Sequence, residues 1–183
     1  GCTSTESSFD DVILFVNCFN PPVAVNDTLV LPEDSTSTVC VALNDSDLDG
    51  DALTVSLTTG CGPFNGTAVL SGNCVNYTPS ANFNGKDSLC YIVCDPSGDC
   101  DTAYVIIDVR PVNDPPVAVN DNATTNEDTP VSRDVRLNDT DVDGSIASVD
   151  LDPGTNGVQT NFTNAAGTWT IVSGEVRYTP VLN

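Results

Sequence analysis

Asp45-Ser46-Asp47-Leu48-Asp49-Gly50 recurs as Asp139-Thr140-Asp141-Val142-Asp143-Gly144, 94 positions further along the chain. The same offset carries Pro21-Pro22-Val23-Ala24-Val25-Asn26-Asp27 onto Pro115-Pro116-Val117-Ala118-Val119-Asn120-Asp121, and Glu33-Asp34 onto Glu127-Asp128. Self-similarity at a fixed period marks a tandem array in which each repeat is one structural unit. The features the two copies share best are clusters of oxygen-bearing side chains.

Bulk composition narrows the setting. A length of 183 residues suits one or two domains, and the repeat makes it about two. Five Lys+Arg against 26 Asp+Glu give a net charge of −21. Without a basic patch to neutralise phosphates, nucleic acid is excluded as a partner, and anionic membrane surfaces with it. Such charge can mean disorder, but 39% hydrophobic residues in short β-branched runs argue for folded strands. The repulsion then needs an offset, which bound divalent cations supply. No stretch approaches the ~20 apolar residues of a membrane span. There is no basic segment followed by an apolar core, so the chain reads as a mature, exported segment.

The eight cysteines, Cys2, Cys18, Cys40, Cys61, Cys74, Cys90, Cys94 and Cys100, all fall before residue 101. An even count in a loop-rich acidic chain with no His favours disulfides formed in an oxidising compartment over zinc, since Cys90-x3-Cys94-x5-Cys100 has no second compact pair. Cys94–Cys100 is the first pairing expected, because it closes a short hairpin around Asp95-Pro96-Ser97-Gly98-Asp99. Cys61–Cys74 and Cys40–Cys74 compete for second place.

Period-two runs identify strands. Val39, Val41 and Leu43 alternate with Cys40 and Ala42, and Val105, Ile107 and Val109 alternate with Ile106 and Asp108. Runs of this kind, bounded by Asn, Asp, Gly and Pro and spaced about eight to twelve residues apart, predict an all-β chain built as a sandwich. In the second copy Asp134 and Arg136 replace Cys40 and Ala42, while Val135 and Leu137 match Val41 and Leu43. Val39, Val41 and Leu43 therefore should face the core and Cys40 should face outward. Tyr77-Thr78-Pro79 matches Tyr178-Thr179-Pro180 at an offset of 101, which places about seven extra residues in the second copy, around residues 154–167. After Tyr178 the second copy has no counterpart of the apolar runs at residues 89–93 and 103–109.

The expected division is residues 1–20, a terminal strand; residues 21–114, a complete repeat with disulfides; and residues 115–183, a second repeat lacking its last strands. Asp11-Val12-Ile13-Leu14-Phe15-Val16 precedes Pro21-Pro22 as Val105–Arg110 precede Pro115-Pro116. Residues 1–20 are thus either the last strand of a preceding repeat or a strand donated to a neighbouring molecule, which would build a polymer by strand addition.

Asn113-Asp114-Pro115-Pro116-Val117-Ala118-Val119-Asn120-Asp121, then Asn126-Glu127-Asp128-Thr129-Pro130-Val131, then Leu137-Asn138-Asp139-Thr140-Asp141-Val142-Asp143-Gly144, resembles the cadherin-like, immunoglobulin-like tandem repeats of very large bacterial surface proteins. Asn82-Phe83-Asn84-Gly85-Lys86-Asp87-Ser88 followed by Tyr91 is similar to a later part of the same repeat. The resemblance implies tandem immunoglobulin-like β-sandwiches, an extracellular cell-surface location, calcium binding and a stalk or adhesive role. The cysteines depart from it, since most such repeats carry none.

Calcium takes six to eight oxygens, and alternating Asp on a tight turn supplies several at once. Asp45, Asp47 and Asp49 project from one loop, Gly50 permits the turn, and Asp51 adds a fourth carboxylate; Asp139, Asp141 and Asp143 repeat the set. An EF-hand would want a Glu twelve places along, and Ser56 stands there instead. Asn26, Asp27, Glu33, Asp121 and Glu127, with Asn113 and Asp114 between the repeats, complete the candidate ligands. In a cadherin-like arrangement they gather at the domain junction, where a cation would resist bending. Asp/Asn/Gly loops also occur as plain solvated turns; two copies in register in so acidic a chain favour calcium. Asp95, Asp99 and Asp101 form a third cluster that reads equally as a turn. With no His the usual Ser or Cys base is absent, so the chain is read as no enzyme. Trp169 reads as a packing residue. The function expected is a structural segment of a calcium-stiffened surface fibre or adhesin, used in attachment or gliding, with neighbouring repeats or subunits, surface glycans or a substratum as partners. The alternatives are a self-polymerising filament subunit and a carbohydrate-binding accessory module.

Overall fold

The computed structural model describes residues 19–182, so all but the last two residues of the expected terminal strand 1–20 lie outside the described residues, as do Cys2 and Cys18. The chain divides into two compact units between Val112 and Asn113. Each is built from strands.

Unit 1 holds β1 (Asp27–Pro32), β2 (Ser37–Cys40), β3 (Thr54–Leu57), β4 (Gly66–Ser71), β5 (Cys74–Pro79), β6 (Gly85–Cys94) and β7 (Cys100–Arg110). They form two sheets, β1-β7-β6-β3 and β2-β5-β4. The period-two pattern decides which side chains meet between the sheets. In β7, Ala103, Val105, Ile107 and Val109 are buried, while Thr102, Tyr104, Ile106 and Arg110 are exposed. Leu89, Tyr91 and Val93 of β6, Leu29 and Leu31 of β1, and Val75 and Tyr77 of β5 complete one apolar core. Burying such side chains contributes roughly 1.5–3 kcal/mol each. β6 and β7 pair antiparallel from Gly85↔Val109 to Cys94↔Cys100. β1 pairs parallel with β7, from Asp27↔Val105 to Pro32↔Arg110.

Alternation ends earlier in β2 than the sequence suggests. The strand stops at Cys40 and a single 3-10 turn, Val41–Leu43, follows. Val41 is fully buried, but the turn swings Leu43 out to 86% exposure, so Leu43 is not a core residue. The 3-10 period of three replaces the strand period of two at this point. Cys40, expected to face outward, is half-buried beside its disulfide partner Cys74.

Unit 2 holds β8 (Val131–Arg133), β9 (Asn161–Asn164), β10 (Gly167–Val172) and β11 (Glu175–Pro180), in one sheet of order β8-β11-β10-β9. β8, β11 and β10 repeat β2, β5 and β4. β9 has no counterpart in unit 1: the extra residues of the second copy hold this edge strand, antiparallel to β10. In unit 1, β1 pairs only with β7, and β3 only with β6. Among the described residues unit 2 has no counterpart of β6 or β7, and residues 121–126 and 148–151, which align with β1 and β3, accordingly form no strand.

One close approach is common to both units. Gly66 lies so near Tyr77 that an added Cβ would sit 2.5 Å from the Thr78 carbonyl and 2.7 Å from the Tyr77 hydroxyl, and Gly167 is crowded in the same way by Tyr178 and Thr179. The tyrosine hydroxyls donate to the carbonyl one residue before each glycine, Asn65 at 3.3 Å and Ala166 at 2.7 Å. A side chain in place of either glycine would displace the ring that closes its sheet.

Candidate cation-binding loops

Each unit begins with a Pro-Pro strap, and a strap without a ladder must find other acceptors for its N–H groups. In unit 1 the Asp45–Gly50 loop supplies them. The Asn20 N–H and Nδ2 donate to the two Asp49 carboxylate oxygens at 2.7 and 2.9 Å, Val23 and Ser46 exchange backbone hydrogen bonds, and the Val25 N–H donates to Asp45 Oδ1 at 2.7 Å. Unit 2 repeats the arrangement. The Asp114 N–H donates to the Asp143 carboxylate at 3.2 Å, Val117 and Thr140 exchange bonds, and the Val119 N–H donates to Asp139 Oδ1 at 2.8 Å. The asparagine before each loop ties down the same strap: Asn44 Nδ2 donates to the Val25 carbonyl and Asn138 Nδ2 to the Val119 carbonyl.

The first and third aspartates of each loop therefore hold the strap, and the middle one closes the turn. Asp47 Oδ1 accepts from the N–H groups of Asp49 at 2.8 Å and Asp51 at 3.3 Å, over a turn that Gly50 completes at φ +78°. Asp141 Oδ1 accepts from the Gly144 N–H at 2.8 Å. These backbone duties went unread in the sequence. The signal for them was the strap itself: two prolines and an extended run with no partner strand in sight.

One carboxylate oxygen of each of two aspartates is left over. Asp45 Oδ2 and Asp47 Oδ2 are buried without a hydrogen-bond partner. A buried polar atom in that condition costs about 1–3 kcal/mol. One ligand oxygen from each of Asp47, Asp49 and Asp51 lies within 4.8 Å of the others, the single such acidic group of three among the described residues. In unit 2 the place of Asp51 is taken by Ser145, which leaves a smaller set. All-oxygen donors of this kind suit a hard cation such as calcium.

Other candidate ligands have partners of their own. Asn26 Oδ1 accepts from the Tyr104 N–H at 2.9 Å. Asp27 Oδ2 lies 3.0 Å from the Tyr91 hydroxyl, which also reaches Asp45 Oδ1 at 3.1 Å and the Val25 carbonyl at 2.8 Å. Burial first, and then the Asp45 charge, raise the Asp27 carboxyl above its ordinary value against the opposing Tyr91 hydrogen bond. Burial and the two nearby carboxylates push the Tyr91 hydroxyl up in turn. Glu33 is 4% exposed, and its Oε1 accepts from the Val112 N–H at 2.7 Å, whereas Glu127 is exposed. Asp121 is paired with Arg133 at 2.8 Å. Asn113 Nδ2 donates to the Asp114 carbonyl.

The third acidic cluster is a turn. Asp95, 6% exposed, accepts through Oδ1 from Ser97 Oγ and from the N–H groups of Gly98 and Asp99. Asp101 accepts from the Ala24 N–H at 2.9 Å. Cys94–Cys100 closes this hairpin at its last register pair. Cys40–Cys74 joins β2 to β5, and Cys61 bonds to Cys90 of β6 rather than to Cys74. The Cys61–Cys74 alternative is thereby replaced: Cys74 stands opposite Cys40 in register, and the loop carrying Cys61 lies against β6. Trp169 packs between Phe162 and Tyr178, with ring centroids 5.6 and 4.6 Å away.

A two-sheet unit with a strap-holding acidic loop, followed by a second unit that repeats the loop and one of the sheets, defines an immunoglobulin-like tandem array. Residues 19–108 and 113–183 match the bacterial Ig domain family, and the chain belongs to it. Similar solved structures include cadherin domains 3–6 of protocadherin gamma B2, at 12% identity over 89% of this chain and 40% of that one, with a TM-score of 0.48. A nucleoside hydrolase-related hypothetical protein from Saccharophagus degradans, associated with carbohydrate metabolism, is 20% identical over 50% of this chain and 26% of that one, with a TM-score of 0.41. The endo-fucoidan hydrolase MfFcnA4 of glycoside hydrolase family 107 is 25% identical over 54% of this chain and 15% of that one, with a TM-score of 0.39. The chain thus spans less than half the length of each of these. No curated protein matches it.

Proposed function

We propose that this chain is a structural, non-catalytic segment of an extracellular bacterial surface fibre or adhesin, stiffened by calcium and serving attachment. Membership of the bacterial Ig domain family and the three disulfides among the described residues of unit 1 support the extracellular structural role. The observation that carries the calcium reading is the buried, unpartnered Oδ2 of Asp47 within the Asp47, Asp49, Asp51 group, with a second such oxygen on Asp45 of the same loop. Calcium would give those oxygens a partner and relieve the repulsion among carboxylates that also hold the strap. It thereby stiffens the start of the unit.

Thermal melting tests this. Extracellular modules bind calcium with Kd near 10⁻⁴–10⁻³ M, and a ligand at ten times its Kd adds about 1.4 kcal/mol to folding. The unit 1 midpoint should therefore rise by roughly 5–10 °C between EDTA and millimolar calcium. Asp47→Asn keeps an acceptor for the turn but should lose most of that rise. Equal midpoints in EDTA and calcium would leave the cation reading without support.

The filament alternative has one observation in its favour: unit 2 exposes a groove lined by Val131, Val135, Trp169, Val176 and Tyr178, on which a strand from a second copy could pack. Mass photometry separates the two readings. A segment of an array stays monomeric, whereas a strand-donating subunit forms concentration-dependent oligomers.

A further inference from the structure

Unit 1 stands in series with unit 2 along one chain, entered at the strap and left through Val112. Tension on that chain first meets the strap, which is held by the Asp45–Gly50 loop through Asn20, Val23 and Val25, by Asp101 through the Ala24 N–H, and by Asn44 and Tyr91 at the Val25 carbonyl. It then meets β1 at its Asp27 end and leaves β7 at its Arg110 end. These are opposite ends of a parallel pair, so the six paired positions from Asp27↔Val105 to Pro32↔Arg110 are sheared together instead of being peeled one at a time. Once that pair gives way, connectivity decides what is stretched.

We infer that the Cys40–Cys74 bridge carries tension past the acidic loop, so that residues 41–60 bear no covalent load even after the sandwich has opened. Load arriving along the chain at Cys40 crosses the bridge to Cys74. From Cys74 the short routes run onward to Cys94, or back to Cys61 and across to Cys90. At Cys94 the load crosses again to Cys100, which leaves the Asp95–Asp99 turn slack. No short route includes residues 41–60, where Asp45, Asp47, Asp49 and Asp51 lie. The sequestered loop keeps its local turn, held by Asp47, and is ready to re-dock the strap when tension falls. The fibre reading supplies only the origin of the load; the loop's protection follows from the bridges alone.

The test applies the load itself, so its failure leaves the fibre and calcium readings untouched. The full chain is held by its two ends in magnetic tweezers under oxidising conditions. Opening of unit 1 should then lengthen the tether by roughly half of what an unbridged unit would give, at about 3.3–3.6 Å per residue. Dithiothreitol added at constant force should release the remainder in discrete steps, each one disulfide reduced as one dithiol is oxidised. In Cys61→Ser/Cys90→Ser the taut route runs straight from Cys74 to Cys94. Bridges spanning 34 and 6 residues should then give one step of roughly 100 Å and one of roughly 20 Å. These steps are read after the sandwich has opened, so they do not depend on the variant's folded stability. A single full-length opening without thiol, or the absence of the larger step, would overturn the inference.

Discussion

Asp87→Ala should lower the melting midpoint of unit 1 by roughly 12–24 °C, the equivalent of about 3 kcal/mol in a domain of this size, and leave unit 2 unchanged. Asp87 is 6% exposed and takes four hydrogen bonds: from the N–H groups of Phe64 at 3.0 Å, Asn65 at 2.9 Å and Ser88 at 2.8 Å, and from the Tyr77 hydroxyl at 2.9 Å. Removing the carboxylate strands the three N–H donors where protein has displaced water, while the Tyr77 hydroxyl keeps the Asn65 carbonyl, and an orphaned buried donor costs more than a hydrogen bond contributes. Tyr77→Phe removes one partner only and should cost about 1 kcal/mol. In the double variant the two losses should be less than additive, because Tyr77 and Asp87 touch.

The same site sets an acid limit. Burial alone would raise the Asp87 carboxyl, but the three N–H groups and the Tyr77 hydroxyl together hold it below its ordinary value of 3.8. A carboxyl lowered by folding stabilises the fold above the unfolded-state value and loses that contribution as pH falls through the folded-state one. Wild-type unit 1 should therefore weaken on acidification below about pH 4, and the Asp87→Ala variant should lack this component. Hydrogen exchange resolves unit 1 directly, and the single tryptophan, Trp169, reports unit 2 by fluorescence. A midpoint shift under about 4 °C would mean that water replaces the carboxylate, and that the site is not a keystone of the sandwich.

Asp87 also illustrates what the sequence made legible. Its parity with Leu89, Tyr91 and Val93 puts it on the inward face of β6, and an acid at an inward position signals a buried, satisfied carboxylate. The motif around it was read only as part of a repeat. Strands such as β7 were legible because nothing competes with a period of two, whereas Leu43 was misplaced because one 3-10 turn changes the period within a single residue step. The acidic loops were found by their repetition. Their backbone duties were not, because the strap's unmet N–H groups appear only once its lack of a strand partner is known. Cys94–Cys100 is local enough to read from spacing. Cys61–Cys90 depends on where a long loop lands, which no spacing encodes.

Reduction of the disulfides should unfold unit 1 selectively. Each of the bridges spanning 34 and 29 residues removes enough denatured-state entropy to add about 3.5 kcal/mol to folding, while the six-residue bridge adds about 2 kcal/mol. The two long loops overlap in sequence, so their joint contribution is less than the sum. It remains comparable with the roughly 5–15 kcal/mol that holds a typical domain folded. In a dithiol reductant the unit 1 midpoint should fall by more than about 20 °C. Unit 2, which contains no cysteine, should melt unchanged. The bridges should also differ. Cys94→Ser/Cys100→Ser should be the mildest pair, because Asp95 already holds that turn through Ser97, Gly98 and Asp99. Cys61→Ser/Cys90→Ser should be severe, since it frees a loop whose Phe64 and Asn65 N–H groups dock on Asp87, and so loosens the keystone and the bridge together. Hydrogen exchange in reductant separates these outcomes: protection of β6 and β7 undiminished after complete thiol labelling would show that the apolar core alone carries unit 1.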